Sequence, residues 1–80
     1  GVEMEVFPNP ATGILNLKVP DNSGAIRYSL IAADGVVKLQ GTLVDEKIQQ
    51  IETESWSSGI YLLIWNTNEG SFGSTEIVVE

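Results

Sequence analysis

Apolar and polar residues alternate in short runs along this chain. Turn-forming residues interrupt the runs at roughly every 10 positions, the spacing of an all-β sandwich or barrel. In Val2 to Phe7, Val2, Met4 and Val6 alternate with Glu3 and Glu5, which predicts a strand with one wet face. Pro8 and Pro10 end that strand, because neither can donate to a ladder, and Ala11-Thr12-Gly13 completes the turn. Ile14 to Val19 follows, with Leu15, Leu17 and Val19 on one face and Asn16 and Lys18 on the other. Pro20 to Gly24 is a loop by composition. In Ala25 to Ala32, Ile26, Tyr28 and Leu30 alternate with Arg27 and Ser29, and Asp34-Gly35 then reads as a hairpin turn. Val36 to Leu43 returns with Val37, Leu39 and Leu43 inward, and Gly41 within it predicts a bulge or a close backbone approach.

The second half is less regular at first. Lys47 to Ile51 is a short strand in which Ile48 and Ile51 break the alternation, and Glu52 to Gly59 is a polar link that contains Trp56. Ile60 to Thr67 is the most apolar segment; apolar on both faces, it predicts a central strand covered on both sides. Asn68 to Ser71 is a turn, and Phe72 to Val79 closes the chain on Ile77-Val78-Val79. That gives seven strands. No stretch sustains the 3.6-residue period of a helix, and neither an internal repeat nor a linker divides the chain, so residues 1–80 read as one domain.

Composition narrows what such a domain can do. With no histidine and no cysteine, the chain lacks the usual general base near neutral pH, the commonest transition-metal ligand and any thiol nucleophile. Its serines have no partner in a triad-like arrangement, and Glu52 and Glu54 sit in a loop without a nucleophile or base beside them. Asp21-Asn22-Ser23 and Asp45-Glu46 offer hard oxygen ligands without the spacing of a calcium loop. The chain is therefore read as a non-enzyme with no cofactor and no metal. Four basic and eleven acidic residues give a formal net charge of −7, which repels nucleic acid and anionic bilayers. Lys18, Arg27, Lys38 and Lys47 are the only cations, so the last third of the chain is purely acidic. No apolar run reaches the roughly 18 residues of a membrane span, so membrane insertion is not expected. There is no secretory leader, and the chain opens at Gly1 without an initiator Met, so it reads as an excised segment of a longer protein.

Several local features fall in a recognisable order. Val6-Phe7-Pro8-Asn9-Pro10 is followed by Leu15-Asn16-Leu17, then by Tyr28-Ser29-Leu30 with Asp34-Gly35 four residues on, then by Ser58-Gly59-Ile60-Tyr61-Leu62, and last by Ile77-Val78-Val79. This ordered set, spread over nearly the whole chain, resembles the type A C-terminal sorting domain of type IX secretion cargo. The resemblance implies a seven-stranded immunoglobulin-like β-sandwich that serves as an export address. It implies an upstream cargo domain that crosses the inner membrane on an ordinary leader, an outer-membrane type IX translocon that recognises the domain, and a sortase-like peptidase that removes it. Cargo would end at the cell surface or in the medium. Pro8, Asn9, Pro10, Asp34, Gly35, Gly59, Tyr61, Ile77, Val78, Val79 and Glu80 are the signal residues this reading selects. Family tails often carry lysine or arginine, commonly as the final residue; here Glu76 and Glu80 flank the apolar tail, and its charge is reversed.

The same residues also have plain structural readings. Pro8-Asn9-Pro10 is a strand terminator, Asp34-Gly35 a turn, Gly59 a backbone position that a β-branched residue would resist, and Ile77 to Val79 a core-facing strand as readily as a displaceable recognition strand. Two other functions compete. One is an immunoglobulin-like accessory module of an extracellular enzyme. The other is a carbohydrate-binding module built on aromatics, although Tyr28, Tyr61 and Trp65 fall on core positions by period and only Trp56 lies in a link. Long strand edges also allow an edge-strand homodimer.

Overall fold

A computed structural model describes residues 4–19, 24–44 and 47–80. Val2, Glu3, the loop residues 20–23 and Asp45-Glu46 lie outside the described residues, and with them the first positions of the opening run and both hard-oxygen clusters. Seven strands are present: β1 (Glu5–Phe7), β2 (Ile14–Lys18), β3 (Ile26–Ala32), β4 (Val37–Leu43), β5 (Ile48–Glu52), β6 (Gly59–Thr67) and β7 (Phe72–Val79). Each falls on a run predicted from the sequence, including the irregular run of β5, with no helix among the described residues.

The strands form two antiparallel sheets, ordered β1-β2-β5 and β4-β3-β6-β7. Alternation gives each sheet one apolar face, and the two faces close over a single core. Leu15 and Leu17 from the three-stranded sheet, with Val19 just past the end of β2, meet Ile26, Leu30, Leu63, Ile77 and Val79 from the four-stranded one. Tyr28, Tyr61 and Trp65 are buried with them, as their period requires.

Gly41 permits a close approach: a Cβ at that position would stand 2.9 Å from the Tyr28 hydroxyl oxygen. Gly73 is tighter still, since a Cβ there would stand 2.5 Å from Trp65 Cζ2. Both glycines leave room for a large inward ring against the neighbouring strand.

Two expectations are corrected. Val37 does not point inward. The β3–β4 ladder pairs Leu30 with Leu39 but Ile31 with Val37, so Lys38 is an extra residue at a bulge. A one-residue insertion inverts the side-chain parity beyond it, which places Val37 on the outer face, 47% exposed. The segment Ile60 to Trp65 is central, as expected, but it is covered on one face only. Tyr61, Leu63 and Trp65 are buried, whereas Ile60, Leu62 and Ile64 stand exposed on the outer face.

Candidate functional site

The antiparallel topology carries four separated pieces of sequence to one end of the molecule. They are the turn after β1, the β3–β4 turn, the start of β6 and the finish of β7. Ala32 pairs with Tyr61, Tyr61 with Ile77, and Gly59 with Val79. All the signal residues selected from the sequence lie on these pieces.

Pro8-Asn9-Pro10 does more than end a strand. As the last strand of its sheet, β7 has backbone groups that face away from β6 and need partners. The Asn9 side chain supplies two of them: its Nδ2 donates to the Glu76 carbonyl (3.1 Å) and its Oδ1 accepts from the Val78 N–H (3.0 Å). A carboxamide presents an N–H donor and a carbonyl acceptor in one plane, as a peptide group does, so Asn9 stands in for a residue of a neighbouring strand. Ala11 continues the pairing with its own backbone. Its N–H donates to the Val78 carbonyl (2.7 Å), and its carbonyl accepts from the Glu80 N–H (2.9 Å). Ala11 and Val79 form an isolated parallel bridge, and Ala11 is fully buried. Four hydrogen bonds thus clasp the last five residues of the chain to the turn that follows β1. Asn16 steadies the base of this clasp, its Nδ2 donating to the Phe7 carbonyl (3.1 Å).

The tail is divided by its own alternation. Ile77 and Val79 are buried in the core, whereas Val78 and Glu80 face outward. Gly59, opposite Val79, has φ +151°, a conformation that side chains rarely adopt. Tyr61 is buried, and its hydroxyl donates to the Ser57 carbonyl (2.7 Å), which fixes the link before β6.

Trp56, the aromatic of that link, tilts against the Tyr61 ring with centroids 5.1 Å apart, and Lys38 Nζ stands 5.8 Å above its ring. A half-buried ring engaged by both neighbours is poorly placed as a stacking platform. Asp34 and Gly35 form the predicted turn: Asp34 Oδ1 accepts from the Val36 N–H (3.0 Å), and Gly35 N–H donates to the Ala32 carbonyl (2.9 Å). This turn sits across a shallow hollow of about 300 Å³ from Ser57 to Tyr61, beside the clasp rather than within it.

Electrostatically this end is acidic. Asp34, Glu52, Glu54, Glu76 and Glu80 are all exposed there. Among the described residues no group of three or more acidic side chains could hold a metal ion. What the arrangement offers is backbone geometry: an apolar terminal strand whose edge is capped by a polar side chain and one short stretch of main chain.

Sequence reasoning found the pieces and missed the connection. The partners of Asn9 lie 67 and 69 positions away, and nothing local marks them. The signal that was available is the pair of prolines: with no N–H at Pro8 or Pro10, the donors that this turn can offer come from Asn9 and Ala11.

An all-β domain whose early turn and last strand are tied together by hydrogen bonds presents the kind of surface that recognition modules use. The particular family follows from comparison with known sequences. Residues 5–80 match the family described as the secretion system C-terminal sorting domain, and the chain belongs to that family. It is a type IX sorting signal that directs export across the outer membrane to the cell surface or the medium. That role entails interaction with the secretion machinery and attachment to an upstream cargo. No curated protein matches the chain. The accessory-module and carbohydrate-binding readings are not favoured by the family assignment.

Proposed function

We propose that the clasped end is the part of the domain that the secretion machinery reads, and that Pro8, Asn9, Pro10, Gly59, Tyr61 and Ile77 to Glu80 act as one composite signal rather than as separate motifs. Asp34 and Gly35 border it and shape the adjoining hollow. One observation carries this reading: residues near the two ends of the sequence are bound to each other through four hydrogen bonds. The partners are the outer-membrane type IX translocon and a sortase-like peptidase, and the domain is their substrate rather than a catalyst. The architecture is an immunoglobulin-like sandwich formed by one domain. Three hairpin pairs, β1-β2, β3-β4 and β6-β7, and a β5 that returns to β2 support that reading. The clasp fills the outward backbone groups from the Glu76 carbonyl to the Glu80 N–H; the preceding part of β7, the last strand of its sheet, is left as an edge suited to backbone pairing, in which main-chain hydrogen bonds give affinity and alternate side chains give specificity.

The test is export of a fluorescent reporter fused upstream of residues 1–80, with an inner-membrane leader added. Surface or medium fluorescence is expected in a type IX-competent strain and not in a matched strain lacking the translocon. Reporter held in the periplasm of both strains, with the domain folded, would contradict the proposal.

A further inference from the structure

Antiparallel pairing turns the backbone groups of alternate residues out of a hairpin. In β7 the clasp marks which ones. Val78 directs both its N–H and its carbonyl away from β6, toward Asn9 and Ala11. The β6–β7 register runs without a break from Gly59 opposite Val79 to Asn66 opposite Phe72, so Phe72, Ser74 and Glu76 turn theirs outward as well. Asn9 takes the Glu76 carbonyl. The N–H and carbonyl of Phe72, those of Ser74 and the N–H of Glu76 have no hydrogen-bond partner among the described residues.

Sheet edges are commonly blunted by shortness, proline, bulges or charge. The other three edges here follow that rule. β1 has three residues and runs into Pro8 and Pro10. β4 is interrupted by the bulge at Lys38. β5 is five residues long, between Lys47 and its own final Glu52. The start of β7 has neither proline nor bulge, and it carries Phe72, which at 82% is the most exposed large apolar residue described. Its charge is one-sided: from Gly59 to Val79 the hairpin holds Glu69 and Glu76 and no cation.

We infer, resting on the reading that the secretion machinery binds at the clasp, that the open stretch from Phe72 to Glu76 takes one extended segment of a partner protein as an added strand. That segment sets an apolar side chain against Phe72 and a lysine or arginine against Glu76. Main-chain bonds to Phe72, Ser74 and the Glu76 N–H supply affinity, and the two side chains, on one face of the added strand, supply selection. Opposite charges across a strand pair are favourable and like charges are not. Geometry and charge also disfavour a second copy as the occupant. Two β7 strands paired antiparallel about Ser74 set Phe72 of one copy against Glu76 of the other, and that pair needs the Glu76 carbonyl that Asn9 already holds. A register shifted by two residues spares the carbonyl but sets each Glu76 against the other copy's Gly70, beside Glu69.

The export reporter tests this. Ser74→Pro removes an outward N–H and no β6–β7 bond, so circular dichroism should show the domain folded. Relative to Ser74→Ala, which keeps the amide, its export should fall at least about tenfold. Phe72→Ala and Glu76→Lys change exposed side chains and should each lower export about threefold. Full export from a folded Ser74→Pro domain would overturn the inference. Should Ser74→Pro unfold the domain, the other two variants decide, and full export from both would overturn it. Sedimentation equilibrium of the unaltered chain should show a monomer. A dimer that Ser74→Pro dissolves would give the edge to a second copy and overturn the inference as well. Failure of the unaltered domain to export is a separate result: it removes the reading on which the inference rests, and the inference with it.

Discussion

At the scale of single residues, Asn9 is the most informative position in the chain. Its carboxamide makes two hydrogen bonds to β7 that no neighbour could replace. Asn9→Ala should cost about 1 to 2 kcal/mol in denaturant unfolding, the net worth of two such bonds. In hydrogen exchange it should expose the Val78 amide while leaving the β3–β6 ladder protected, which would separate loss of the clasp from general loosening. Gly73 is constrained from the other side of the same strand. Gly73→Ala drives a methyl group into the Trp65 ring, and a loss of about 1 to 3 kcal/mol is expected from overpacking. Tyr28 makes a pH prediction. Burial holds its hydroxyl above the ordinary value of 10.0. Below that value both folded and unfolded chains keep the proton and no pH dependence arises from this group. As pH rises further the unfolded chain ionises first, so stability should fall until the raised folded value is passed. Tyr28→Phe should reduce that alkaline slope in thermal melts, and an unchanged slope would refute the assignment.

At the scale of elements, β6 and β7 divide the work. β6 is the central strand: it pairs with β3 on one side and β7 on the other, and Leu63 within it is fully buried. Leu63→Ala should therefore cost about 2 to 5 kcal/mol in equilibrium unfolding. That β6 would be central could be read from its apolar content alone. That its second face is bare could not, because composition cannot distinguish a strand covered twice from one whose outer face is open to solvent. Alternation located β1 to β4 and β7 to within a residue or two over the described residues, since period 2 is imposed directly by the backbone; β5 and β6 were marked by short apolar runs between turn residues. It failed at Val37, where the bulge at Lys38 inverts parity, and bulges depend on a partner strand that local sequence does not name. The turn at Asp34-Gly35 was legible because its chemistry is local. The Asn9 clasp was not, because its two halves meet only after the whole sandwich has closed.

For the molecule as a whole, acidity and strand geometry bear differently on export. Glu76 and Glu80 flank the apolar residues Ile77 to Val79 at the convergent end, and yet the chain belongs to the sorting family. If recognition proceeds through the strand itself, tail charge acts mainly on the rate of encounter. Glu80→Lys should then leave reporter export within about twofold of the unaltered domain, because an exposed charge contributes little to a backbone-paired complex. The most direct test of the composite signal compares the two ends of the sandwich in one export assay. Reporter in the medium should be quantified for the unaltered domain, for Asn9→Ala at the clasp, and for Asn68→Ala in the β6–β7 turn at the opposite end. Loss of most export with Asn9→Ala, and full export with Asn68→Ala, is the result this account predicts. Equal export from all three would contradict it, since a signal assembled by the clasp cannot survive the clasp's removal unchanged.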